Sequence, residues 1–298
     1  MAEATINGVK IAYQQLGEGP DLVFVHGVAA NRAFWYGQYA LPLQKHFRVT
    51  IYDLRGHGYS DMPPSGYSAA EMAGDLAGLL DHLNIQRCAL VGHSYGGAIA
   101  LEYACAHSQR VERLALFDSK INRLQPKQML SDSPHLTNFE REAASRASYD
   151  WEKEEQVGLL FLEVVARQRV AGEMVSVRDK FTPFGEGRGA LRNAKQWVDF
   201  LDTTTGHADL VKAGAEPDAI AKLPMPILLM YGAHSRCLPS YRAMKSLLPQ
   251  AQCEIVPEGG HFFPMSHAGI TLPRLAAFLG IELTLPQQPQ ALPGVGTG

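Results

Sequence analysis

Residues 92–97 read Gly92-His93-Ser94-Tyr95-Gly96-Gly97, between the apolar run Cys88, Ala89, Leu90, Val91 and the small-residue stretch from Ala98 to Ala106. A serine with glycines two positions away on either side fits a tight strand-to-helix turn, because strained backbone at the serine leaves no room for larger neighbours. Such a turn pushes the hydroxyl of Ser94 out of the sheet. It also opens a helix, so the Tyr95 N–H and the helix dipole both favour negative charge at the atom that the hydroxyl attacks.

The surrounding pattern supplies the sheet that this turn needs. Strand-like runs are expected at Lys10 to Leu16, Leu22 to Val25, Arg48 to Tyr52, Arg87 to Val91, Val111 to Phe117, Ile227 to Tyr231 and Gln252 to Val256. The interior runs are apolar throughout, as in strands covered on both faces. Helical stripes lie between them: Met72, Leu76, Leu79, Leu80 and Leu83 share one face, and Ile270, Leu275, Phe278 and Leu279 suggest a closing helix. The alternation predicts an α/β protein with a doubly wound, mainly parallel sheet, whose ligands bind beyond the carboxyl ends of the strands.

Residues 119–222 break the alternation. They are richer in charge and aromatic rings, with helical stretches near Asn138 to Ser148, Trp151 to Ala171 and Gly189 to Ala213, and they read as a helical lid inserted into a core formed by residues 1–118 and 223–283. Trp151, Phe161 and Trp197 of this insertion, with His26 and Phe262 of the core, are the candidate substrate contacts. Residues 284–298, rich in Pro, Gln and Gly, read as a flexible tail.

Of the 298 residues 46% are hydrophobic and 19% charged, enough apolar material for one large core. The formal net charge of −3, with no basic block, argues against a nucleic-acid or anionic-membrane partner. The expected partner is a small acyl molecule, free or carrier-bound. Cys88, Cys105, Cys237 and Cys253 stand singly, without metal-ligand spacing, which suits free thiols in a reducing, cytoplasmic setting. Met1 to Gly8 carries neither a basic start nor an apolar core, so no secretory signal is expected there. No apolar stretch is long enough to span a bilayer.

A serine nucleophile needs a base, and the loop after the last strand is where such a sheet would supply it. Pro257-Glu258-Gly259-Gly260-His261-Phe262-Phe263 offers His261 there, with a glycine pair that lets the loop reach back over Ser94.

These residues together resemble the α/β-hydrolase fold superfamily, as a serine hydrolase with a helical lid. Val25-His26-Gly27-Val28 looks like the family's oxyanion loop after the third strand, and Asp53 to Asp61 looks like its turn after the fourth. The resemblance implies an oxyanion hole built from the backbone N–H groups of Val28 and Tyr95. It also implies a catalytic acid, for which most relatives use an Asp after the strand Ile227 to Tyr231. Here Ser235 stands at that position, and a hydroxyl cannot carry the charge that steadies an imidazolium. Some relatives place the acid one strand earlier, where this chain has Asp118, so the expected triad is Ser94, His261 and Asp118, with Asp209 as runner-up and Ser235→Ala nearly silent.

The expected chemistry is cleavage of a carboxylic ester, lactone or thioester through an acyl-enzyme on Ser94, with no metal or organic cofactor. A carbon–carbon bond hydrolase, an acyltransferase, or a cofactor-free oxygenase or lyase would keep the same residues. A non-catalytic ligand receptor is the reading outside enzymes.

Overall fold

The computed structural model describes residues 1–133, 135–173 and 181–283. Eight strands form one sheet: β1 (Ala2–Ile6), β2 (Val9–Leu16), β3 (Asp21–Val25), β4 (Arg48–Tyr52), β5 (Cys88–His93), β6 (Val111–Phe117), β7 (Ile227–Gly232) and β8 (Gln252–Val256). Their spatial order is β1-β2-β4-β3-β5-β6-β7-β8. The pairs β1·β2 and β2·β4 are antiparallel and all others are parallel. The fold is therefore the expected α/β class with a mainly parallel, doubly wound sheet.

Alternate side chains of the central strands feed two separate cores. Val23, Val25, Leu90, Leu114, Leu116 and Leu229 pack on one face, and Leu22, Phe24, Val91, Phe117, Leu228 and Met230 on the other. Burial on both faces is why these strands read as unbroken apolar runs. The helix α1 (Ala69–His82) covers the first face with buried Met72, Leu76, Leu79 and Leu80. It starts in a reciprocal cap, with Ser68 Oγ accepting from Glu71 N and Glu71 Oε2 accepting from Ser68 N, an arrangement that contributes on the order of 1 kcal/mol.

One strand escaped the sequence reading. β1 is joined to β2 by Asn7-Gly8 alone, with φ of 50° and 77°, the geometry of a two-residue hairpin turn. The Asn-Gly pair was the available signal.

Between β6 and β7 the described residues form helices and no strand: α2 (Tyr95–Ala106) precedes β6, and α3 (Asn138–Ser145), α4 (Val157–Ala171) and α5 (Arg188–Thr203) follow it. Residues 174–180 of this insertion and residues 284–298, read above as a tail, lie outside the described residues. Also among the described residues, no helix is long and apolar enough to cross a membrane.

The strand order fixes where a site can form. Successive crossovers run one way from β3 to β4 and the other way from β5 to β8, so the chain reverses direction between the neighbours β3 and β5. Loops leaving these two strands diverge and open a crevice at the carboxyl edge of the sheet.

Candidate active site

Ser94 follows β5 with φ of 56° and ψ of −125°, a conformation that non-glycine residues rarely hold. The glycines around it are there for closeness. A Cβ on Gly92 would lie 2.4 Å from Gly96 O, and one on Gly96 would lie 2.4 Å from Val25 O. The turn thus presses α2 directly against the end of β3, and only glycine fits at those two contacts.

Ser94 Oγ lies 2.9 Å from His261 Nε2, and His261 Nδ1 lies 2.7 Å from Asp118 Oδ2. The three side chains come from the loops after β5, β8 and β6, the strand ends expected from sequence. Asp118 is fully buried and, like Ser94, has a positive φ, 49°. Its carboxylate is oriented by the Gly232 N–H donating to Oδ1 and by Ser235 Oγ donating to Oδ2. Ser235 therefore touches the residue expected to serve as the acid in its place, a contact that bears on its expected silence.

His261 is tethered through its backbone as well. His93 Nε2–H donates to the His261 carbonyl at 2.9 Å, while its ring stacks on Phe34 at 4.8 Å. Burial, reinforced by the neighbouring His261, holds His93 well below the ordinary histidine pKa, so it is a neutral fixed donor.

The Ser94 hydroxyl opens into a cavity of about 600 Å³, lined by Val28, Tyr95, Phe161, Phe262 and His261 among others. Val28 N–H engages no partner among the described residues, and Tyr95 N opens the first turn of α2. Both can point donors at an oxygen near Ser94. Phe161 and Phe262, the other two expected substrate contacts, sit in the cavity wall. His234, on the loop after β7, also lines it and stacks on His135 at 3.7 Å.

Three expected substrate contacts are corrected. His26 is fully buried, with Nε2 accepting from Leu54 N and Nδ1 donating to Gly27 O, so both ring nitrogens are used by backbone. Trp197 is 2% exposed and stacks on Phe200 at 5.0 Å, away from the cavity lining. Trp151 stacks behind Phe161 at 4.3 Å and supports that ring rather than lining the cavity. Asp209, the runner-up acid, accepts from Tyr67 N and Thr205 Oγ1 and ion-pairs with Lys212. It has no contact with His261.

The sequence reading missed Lys120 and Cys237, which line the cavity. Cys237 Sγ lies 3.9 Å from His261 Nδ1. Cys237, Asp118 and His261 offer ligand atoms within 4.8 Å of one another, a spacing that could hold a metal ion. Burial and the charge of Asp118 push the Cys237 thiol well above its ordinary pKa, which keeps it protonated and a weak ligand.

The model of a family described as alpha/beta hydrolase fold matches residues 20–268 of this chain. Uncharacterized proteins of Mycobacterium bovis and Mycobacterium tuberculosis are 40% identical over 112 residues, 38% of this chain and 33% of theirs. The chain thus aligns with only about a third of the length of these relatives. A protein of Synechocystis provisionally named non-heme chloroperoxidase is 27% identical over 290 residues, covering 91% of this chain and 95% of that protein. A crystal structure from Burkholderia cenocepacia, provisionally described as an aryl esterase, superposes with a TM-score of 0.68 at 25% identity, covering 94% of this chain and 98% of that one.

Proposed function

The chain belongs to the alpha/beta hydrolase fold family, and from that premise we propose that it is a serine hydrolase cleaving a carboxylic ester, lactone or thioester through an acyl-enzyme on Ser94. The observation that carries this reading is the unbroken line Ser94 Oγ, His261, Asp118, with contacts of 2.9 Å and 2.7 Å. Distances of this size are within direct proton-transfer reach.

In this mechanism His261 Nε2 takes the hydroxyl proton as Ser94 Oγ attacks the carbonyl carbon. The tetrahedral oxyanion is met by the Val28 and Tyr95 N–H groups, and His261 returns the proton to the leaving alcohol or thiol. Water, deprotonated by the same nitrogen, then releases the acid and free Ser94. Asp118 keeps the Nδ1 proton in place, so that Nε2 is the basic nitrogen in each half-reaction. A serine at this turn is what acylation requires, and the likeness to the Burkholderia cenocepacia protein provisionally described as an aryl esterase supports an ester substrate.

The test is covalent. A fluorophosphonate probe followed by peptide mass spectrometry is expected to mark Ser94 in the intact protein and not in His261→Ala. Absence of an adduct in both would remove the acyl-enzyme and favour chemistry in which the serine only orients substrate.

A further inference from the structure

Lys120 leaves the loop after β6 two residues beyond Asp118 and lines the same cavity as Ser94. It is partly buried, and its ammonium is held by two neutral oxygens, Asn122 Oδ1 and Gln156 Oε1, each at 2.8 Å. Both amides are locked in that orientation by their other ends. Asn122 Nδ2 donates to the carbonyls of Leu210 and Lys212 at 2.8 and 2.9 Å, and Gln156 Nε2 donates to the Pro126 carbonyl at 2.7 Å. The amide flips are thereby assigned by their partners, and both oxygens face the cation.

An ammonium has three donors, and this socket occupies two. Among the described residues no carboxylate pairs with Lys120. The other charges along the cavity are already compensated or exposed: Arg236 pairs with Glu140 at 2.7 Å, and Arg141 and Glu258 are exposed. Arg236 Nε and Nη2 are buried and without a hydrogen-bond partner among the described residues. A partly desolvated cation with no carboxylate in contact gains when something anionic arrives.

We propose that Lys120 is a specificity residue that receives a carboxylate carried by the substrate, separate from the scissile ester. Resting on the serine hydrolase reading above, this narrows the substrate to an acid-bearing ester, lactone or thioester whose apolar body lies against Phe161, Leu162 and Val165. The free donor of Lys120 makes a charge-assisted hydrogen bond that a neutral substrate cannot accept equally well. Burial holds Lys120 below the ordinary lysine pKa, at about 8, against the opposing charge of Asp132, while the neighbouring Cys237 thiol stays neutral. The preference is therefore strongest below pH 8 and fades above it, where the substrate carboxylate stays ionised but the amine does not.

The experiment uses the 4-nitrophenyl hemiesters of glutarate, adipate, pimelate and suberate against 4-nitrophenyl esters of monoacids of matching length. Binding is measured by calorimetry in Ser94→Ala, so that turnover is not needed, and kcat/KM is measured in the unaltered enzyme. At pH 7 the best hemiester is expected to exceed its neutral partner by about ten-fold or more in both assays. Lys120→Met is expected to erase that ratio, mostly through binding, and Lys120→Arg to retain part of it. No preference at any chain length, or a preference that persists in Lys120→Met, would overturn the proposal. A hemiester preference in Ser94→Ala without any Ser94 adduct in the probe assay would separate a correct anion site from a failed hydrolase assignment.

Discussion

His26 and His57 stand beneath the loop that follows β3, and His261 stands over Ser94, and the two settings differ in what occupies the ring nitrogens. His26 and His57 lie 5.6 Å apart, centroid to centroid, with all four nitrogens bonded to backbone: Leu54 N, Gly27 O, Ala29 N and Arg55 O. Burial depresses them to about 4 and about 3. His261 instead spends both nitrogens on side chains, Ser94 and Asp118, and keeps 29% of its side chain accessible. The same imidazole is a neutral brace where backbone claims both nitrogens, and in the proposed mechanism a proton carrier where a hydroxyl and a carboxylate share them. Donor and acceptor chemistry around the ring, rather than the ring itself, decides the role.

Four substitution experiments press on that contrast. Replacing the ring between Ser94 and Asp118 should do the most: His261→Ala is expected to lower kcat/KM for a 4-nitrophenyl ester by roughly 10⁴-fold or more, with the melting temperature little changed. A comparable loss from His57→Gln at full stability would break the distinction. Asp118→Asn should follow, at about 10³- to 10⁴-fold, because an amide favours the wrong imidazole tautomer. Since Ser235 Oγ touches Asp118 Oδ2, adding Ser235→Asp to Asp118→Asn is expected to restore at least about ten-fold. Restoration would show that the strand ends after β6 and β7 can each supply the acid.

The bracing pair should appear in stability rather than rate. Both histidines have folded pKa values below the unfolded value of about 6.5, so the unfolded chain binds protons first as pH falls. Their contribution is complete above about pH 6.5 and is lost as pH falls toward about 4 for His26 and about 3 for His57, about 3 kcal/mol for His26 alone. Urea titrations at pH 7 and pH 4.5 are expected to show that loss, and His26→Gln, which keeps an acceptor for Leu54 N, should remove the His26 share of it and leave that of His57. The smallest effect belongs to Ser235→Ala. The hydrogen bond to Asp118 replaces the silence expected from sequence with a loss of a few-fold in kcat, and an unchanged rate would show that Gly232 N–H alone orients the carboxylate.

Legibility in the sequence followed the range of the interactions. The central strands announced themselves because burial on two faces leaves no room for polar residues, and Ser94 and His261 were legible because each is tied to a strand end and to nearby glycines. Asp118 could be named only by noticing that Ser235 cannot bear charge. The hairpin strand β1 is signalled only by the Asn7-Gly8 pair, since its own five residues are too short and too exposed to show a clear pattern. His26, Trp151 and Trp197 show the other limit: residue type suggested a contact, but burial depends on which helix lands on which loop. The socket around Lys120 was out of reach for the same reason, since Gln156 is 36 residues away along the chain and arrives only when the insertion has folded.

The left-handed twist at Ser94 has a meaning for how such a protein ages under mutation. Backbone held there is a standing debit of about 1–3 kcal/mol, which a glycine would erase together with the hydroxyl. Stability alone would favour that glycine, so the hydroxyl that faces His261 is held in this posture against the interest of the scaffold.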